Sequence, residues 1–117
     1  MTIIQILRGD VVKVNLNPTE GAEIQGTARP CVVVQNDVGN QNSPNTIVIP
    51  VTDAKGRRAY PFQVFIRAGT GGLTKDSIAL GEQIRVIDRN RIIKKMGTLQ
   101  EDTLEKLDFA VRNSLDL

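Results

Sequence analysis

Two stretches decide the fold: RGDVVKVNLNPTEGAEIQGTARPCVVVQND, residues Arg8–Asp37, and NTIVIPVT, residues Asn45–Thr52. In the first, Val12, Val14 and Leu16 alternate with Lys13 and Asn15, the period of a half-buried strand. Asn17-Pro18-Thr19-Glu20-Gly21 breaks that strand, and the polar stretch to Thr27 reads as a loop. Cys31–Val34 and Ile47–Val51 are continuous apolar runs bounded by turn residues, as expected of buried strands. Gly39–Asn45 reads as a polar loop between them.

The same reading continues outward. Phe62, Val64 and Ile66 alternate with Gln63 and Phe65 as a further strand. Ala68-Gly69-Thr70-Gly71-Gly72 is a turn, because no helix follows it and Lys75 stands too far on for a phosphate-binding loop. Short strands are expected at Ser77–Leu80, Gln83–Ile87 and Arg91–Lys94. Many short strands without alternating helices indicate a compact antiparallel barrel.

One helix is expected, Leu99–Leu115. Thr98 and Glu101 have the spacing of a capping box, and Leu104, Leu107, Val111 and Leu115 share one face. Glu101, Asp102 and Glu105 suit the positive end of its dipole. Phe109 lies off that face, either as a second contact or as a partly exposed aromatic beside the barrel. The fold class is therefore mainly β with a C-terminal helix, over one domain spanning 1–117.

Composition narrows the chemistry. Aromatic residues make up only 3% of the chain, so Val, Ile and Leu must build the core, and base stacking cannot dominate nucleic-acid binding. A single cysteine excludes an internal disulfide and a Cys-based zinc site, and points to a reducing compartment. No apolar run reaches membrane-spanning length, and the N-terminus lacks the pattern of a secretory signal, so a cytoplasmic protein is expected. From Thr98 onward five acids face two bases, a charge of −3, so the total of +2 leaves +5 on the preceding residues. A mildly basic body suits a polyanion, although an ordinary solvated face carries similar asymmetry.

The chain has no histidine, so the usual neutral-pH acid and base is missing. Arg29 precedes the apolar run Cys31–Val34, and Thr52 closes the run Ile47–Val51. A cation and a hydroxyl at the ends of neighbouring strands can grip and cleave a phosphodiester. The arginine fork matches two phosphate oxygens and stays charged, while the hydroxyl can bond a phosphate oxygen or orient the 2′-OH. Taken singly, Arg29 also fits a surface arginine before a proline, and Thr52 an ordinary strand end. Glu23 can hold Arg29, act as a base, or be a solvated loop carboxylate. Lys55, Arg57 and Arg58 form a basic turn that either tracks a phosphate backbone or is solvated. Cys31, in an apolar strand, is expected to be buried and inert.

The set Arg8-Gly9-Asp10, Asn17-Pro18-Thr19, Gly21 with Glu23, Gly26, Arg29-Pro30 and Pro50-Val51-Thr52 resembles the MazF/PemK (Kid) toxins of bacterial type II toxin–antitoxin pairs. The likeness continues through Tyr60-Pro61-Phe62, Asp76-Ser77-Ile78-Ala79-Leu80 and Glu82-Gln83-Ile84-Arg85, and so covers the chain from about Arg8 to the C-terminal helix. It implies a small barrel like the Src-homology-3 (SH3) barrel with a C-terminal helix, in a homodimer. It also implies a ribosome-independent endoribonuclease that cleaves single-stranded RNA (mRNA) and is neutralised by a cognate MazE-like antitoxin. Arg29 and Thr52 fall on the family's catalytic pair. Gln83 and, with it, Glu82 fall where the family contacts substrate. Asn36 either caps a turn or lines the groove.

The Kid branch uses an arginine where this chain has Leu80, and a histidine where it has none, so the resemblance is closer to the MazF branch. That branch implies internal attack by the 2′-OH, 2′,3′-cyclic phosphate and 5′-OH products, no metal and no cofactor. Two alternatives belong to other classes: a CcdB-like toxin that docks on gyrase and cleaves nothing, and an inactive relative. The Arg29/Thr52 pair separates the first of these from a nuclease, because a docking protein does not need it.

Overall fold

A computed structural model describes residues 4–117. Seven strands, β1 (Asp10–Val14), β2 (Arg29–Val33), β3 (Asn45–Asp53), β4 (Gln63–Ile66), β5 (Ser77–Leu80), β6 (Arg85–Asp88) and β7 (Ile92–Thr98), form one antiparallel sheet. Their order is β4-β5-β3-β2-β1-β7, with β6 also on β3. A short helix α1 (Asp37–Asn42) precedes β3, and helix α2 (Glu101–Leu115) ends the fold. The mainly β architecture with a C-terminal helix is as the sequence indicated.

β3 is the shared strand. Its first half pairs with β6 (Asn45↔Asp88 to Val48↔Arg85), its second half with β5 (Val51↔Ala79 to Asp53↔Ser77), and its other edge with β2. The continuous apolar runs have a simple cause: β1, β2 and β3 are buried on both faces. Val11, Val32, Ile49 and Val51 join a cluster with Leu73, Leu104, Leu107 and Ala110. Alternate residues Val12, Val14, Cys31, Val33 and Val48 join a second cluster with Leu16, Ile87 and Ile92. At about 25 cal/mol per Å² of apolar surface, these fully buried Val and Ile side chains supply the main drive for folding.

Several boundaries differ from the sequence reading. Gly39–Asn45 is not all loop, because α1 begins at Asp37: the Asn36 side chain caps it by accepting from Gly39 N at 2.8 Å. The capping box at α2 does not form. Thr98 Oγ1 donates instead to the buried Asp10 carboxylate at 3.1 Å, and Gln100 occupies the N-cap without a side-chain bond. The buried face of α2 is Leu104, Leu107 and Ala110, with Val111 partly buried, while Leu115 is exposed. Phe109 is also exposed. Gln83 is not in a strand but ends a 3₁₀ turn, Gly81–Gln83, that carries the chain from β5 to β6.

Arg8 was legible only as a turn residue, yet it ties three parts together. Its guanidinium grips both Asp108 oxygens on α2 and donates to Val34 O, while its backbone N–H bonds Asp37 Oδ1 at 2.7 Å. That N–H bond, with the Asn40 amide, holds the Asp37 carboxyl below its ordinary range.

This packing sets two expectations for stability. Gly72 has φ +80°, and an added Cβ would lie 2.3 Å from Met96 O on β7. Gly72→Ala should therefore destabilise the protein by ~2 kcal/mol in chemical unfolding, since neither backbone can give way. Burial pushes the Cys31 thiol up to about 12, against a smaller opposing pull from Arg29 and Arg85. In the unfolded chain it ionises near its ordinary 9.0, so between those values the unfolded state binds fewer protons and stability should fall as pH rises. A thiol-specific reagent at neutral pH should leave the folded protein untouched and titrate one thiol after denaturation.

Candidate functional site

The polar residues that could carry chemistry lie where β2 begins and β3 ends. The β2–β3 ladder runs Val33↔Val48, Val32↔Ile49, Cys31↔Pro50. Two further steps of that register set Arg29 opposite Thr52. Directly opposed residues project to the same face, and alternation gives these two the face of Cys31 and Val48. Thr52 also pairs with Ile78 on β5, which packs with Ala54, Leu80 and Ile24. Both Arg29 and Thr52 are half-buried.

The loop from Asn17 to Ala28 is tied down beside them. Leu16 N donates to Gly26 O, Gly26 N to Asn17 Oδ1, and Ile24 N to Gln83 Oε1 at 2.7 Å. Arg29 Nε and Nη2 donate to Gln25 O at 3.0 and 2.7 Å. Nη1 takes no part in these bonds and is the arm left for an anion. Gly26 has φ +149°, and an added Cβ there would lie 3.3 Å from Arg29 Nε, so a side chain at this position would press on the guanidinium.

The other residues singled out fall into separate settings. Glu23, Glu82 and Gln83 line one cleft of about 630 Å³ with Thr19, Glu20 and Arg85. Gln83 spends its carbonyl on Ile24 N, so only its NH₂ is left to donate to a ligand. Glu82 Oε2 accepts from Gln63 Nε2 at 2.8 Å. Glu23 is exposed, and no Glu23–Arg29 ion pair occurs among the described residues.

Arg57 folds back on its own turn, donating to Ala54 O and Asp53 O, and borders a third cleft of about 520 Å³ with Arg58, Tyr60 and Leu80. Lys55 is exposed at φ 49° in the same turn. Asn36 is the α1 cap, with its side-chain oxygen already engaged. Arg85 was not singled out, although its pairing with Val48 puts it on the Arg29 face and its charge, like that of Arg29, acts on Cys31. Its apolar neighbours Ile84 and Val86 gave no sign of this, since the β3–β6 register is set only in the fold.

Among the described residues no helix is long and apolar enough to cross a membrane, and no group of three or more His, Cys, Asp and Glu could hold a metal ion.

Residues 7–115 match the model of the PemK-like, MazF-like toxins of type II toxin–antitoxin systems. The chain is 42% identical over 112 residues to the endoribonuclease MazF of Staphylococcus epidermidis, covering 96% of this chain and 92% of that protein. It is 41% identical over 112 residues to the endoribonuclease EndoA of Bacillus subtilis (strain 168), covering 96% of each. In structure it is similar to MazF from Deinococcus radiodurans, with a TM-score of 0.82 at 24% identity over 97% of this chain and 99% of that one. It is also similar to a mycobacterial endoribonuclease solved in complex with its cognate antitoxin, with a TM-score of 0.78 at 20% identity over 96% of each chain. A family match over nearly the whole chain, with relatives above 40% identity along the same length, means that this chain belongs to the PemK/MazF family of toxins of type II toxin–antitoxin systems.

Proposed function

We infer that the protein is an endoribonuclease toxin that cuts single-stranded RNA at chosen sequences, without ribosome or metal, in the cytoplasm. It works as a homodimer and is silenced by a cognate antitoxin. The observation that carries this reading is that Arg29 and Thr52 each lie two residues beyond the last rung of the β2–β3 ladder, Cys31↔Pro50, and line one cleft. A protein that only docks on gyrase has no use for that pair, and the relatives at 41–42% identity are named endoribonucleases.

The chemistry follows from RNA itself, which supplies its nucleophile. The 2′-OH attacks the adjacent phosphorus, the P–O5′ bond breaks, and a 2′,3′-cyclic phosphate and a 5′-OH result. Negative charge builds on the non-bridging oxygens as the phosphorane forms. The unengaged Nη1 arm of Arg29 and the Thr52 hydroxyl are suited to those oxygens, in a setting partly shielded from water. Arginine is a poor base, so its main task is charge stabilisation, with proton donation to the departing 5′-oxygen as the second. Glu23, exposed on the adjoining loop, is either the base toward the 2′-OH or a wall of the Gln83 cleft.

Gln83 has two tasks. Its carbonyl latches the loop at Ile24, and its NH₂, free of that bond in a residue that lines the adjoining cleft, is suited to donate to base edges. Glu82 supplies acceptors at the same cleft, while Lys55 and Arg57 supply charge to the backbone from the neighbouring turn. Asn36 is the outlying member of the substrate-binding set.

Arg29→Ala should lower the cleavage rate by roughly 10²–10³-fold, equivalent to ~3 kcal/mol or more of transition-state stabilisation, with the fold retained by circular dichroism. The assay is mass spectrometry of a long mixed-sequence RNA incubated with protein in EDTA. Cyclic-phosphate fragments should appear with wild type and be scarce with the variant; full cleavage by Arg29→Ala would overturn the mechanism. Gln83→Ala should broaden the set of cut sites in the same assay, and an unchanged set would remove it from base reading.

A further inference from the structure

The sheet carries a second group of cations on the face opposite the Arg29 and Thr52 side chains. Lys13 pairs with Pro30 on β2 and with Lys94 on β7. Directly opposed residues share a face, and Val12 and Val14, the neighbours of Lys13, turn to the other side. Lys13 and Lys94 are therefore like charges side by side, an arrangement that destabilises a sheet. Neither is relieved by a carboxylate: the ion pairs among the described residues are Arg8–Asp108, Lys75–Asp53 and Lys95–Asp10. Lys13 is, moreover, half-buried.

These two lysines line a cleft of about 550 Å³ over an apolar floor that includes Val51, Leu73 and Met96. Lys75 lines it as well, and its only lining acid, Asp53, is engaged by Lys75 Nζ at 3.7 Å and by Lys55 N at 3.1 Å. Lys95 also lines it, with its charge met by the buried Asp10 at 3.2 Å. Ala28, Arg29 and Thr52 line it too, so the cleft reaches the strand ends that carry the candidate catalytic pair.

We propose that this cleft is a second RNA-backbone subsite: the strand flanking the cut turns around the ends of β2 and β3 and seats phosphates on Lys13 and Lys94. The proposal rests on the endoribonuclease reading and adds to it a surface on the reverse face of the sheet. An anion lying between the two lysines offsets the repulsion that solvent and salt only screen. Ammonium groups are point charges that follow phosphate without reading bases, so the subsite adds affinity for longer RNA and leaves sequence choice alone.

The test is the salt dependence of KM for a long mixed-sequence RNA, measured with wild type, the double variant Lys13→Gln/Lys94→Gln, and the control Lys106→Gln on the exposed side of α2. The double variant should show a raised KM with kcat retained. Its slope of log KM against log salt should be smaller by about 1.4, ~0.7 for each single-strand phosphate that is no longer neutralised, or about sevenfold over a fourfold change in salt. Its melting temperature without RNA should equal or exceed that of wild type, because a repulsion has been removed. Lys106→Gln should keep the wild-type slope.

An unchanged slope in the double variant beside a cleaving wild type would overturn the subsite. So would a fall in kcat at constant KM. Weakened binding of an acidic antitoxin-type peptide, with the RNA slope unaltered, would reassign the cleft to a protein partner and likewise overturn it. Failure of wild type to cut any RNA would instead strike the endoribonuclease reading itself.

Discussion

The structure depends on one constraint: β1, β2 and β3 are buried on both faces, and their alternate residues feed two separate apolar clusters. A polar side chain along such a strand needs a partner of its own, as buried Thr46 on β3 has in Asn40 Oδ1 at 2.7 Å. Chemistry is therefore pushed to the strand ends, where the ladder opens and water enters. Arg29 and Thr52 occupy such ends, each two residues beyond the last pair of the β2–β3 ladder, Cys31↔Pro50.

The remaining elements serve that arrangement. β3 is long enough to pair with β6 at one end and β5 at the other, so the 3₁₀ turn between those strands lies beside it and presents Glu82 and Gln83. The Gln83 carbonyl then catches Ile24 N and draws the loop over the strand ends, while Gln25 O orients the Arg29 fork. Packing, loop position and guanidinium direction thus form one chain of cause. Arg8 works in the same way at the opposite end, clamping α2 to the sheet through Asp108.

Charge follows the same logic. Lys95 is neutralised by a buried acid and serves the fold, whereas Lys13 and Lys94 repel each other across a ladder and do not. A fold that keeps such a repulsion retains a surface suited to a polyanion. Ala28, Arg29 and Thr52 line the same cleft as Lys13 and Lys94, so the candidate pair and the lysines border one cavity.

The sequence by itself determined the fold class, because apolar runs with period two or none, punctuated by Gly, Pro and Asn, admit few arrangements other than short antiparallel strands. It also determined the terminal helix, the burial of Cys31, and Arg29 and Thr52 as the polar residues at strand ends. Only the tertiary structure decided which ends meet, since register is set by side chains distant along the chain. That is why Arg85, and the pairing of Lys13 with Lys94, escaped a linear reading. It also moved Thr98 from a helix cap to the buried Asp10 carboxylate, because a buried anion is a more demanding partner than a solvated helix end.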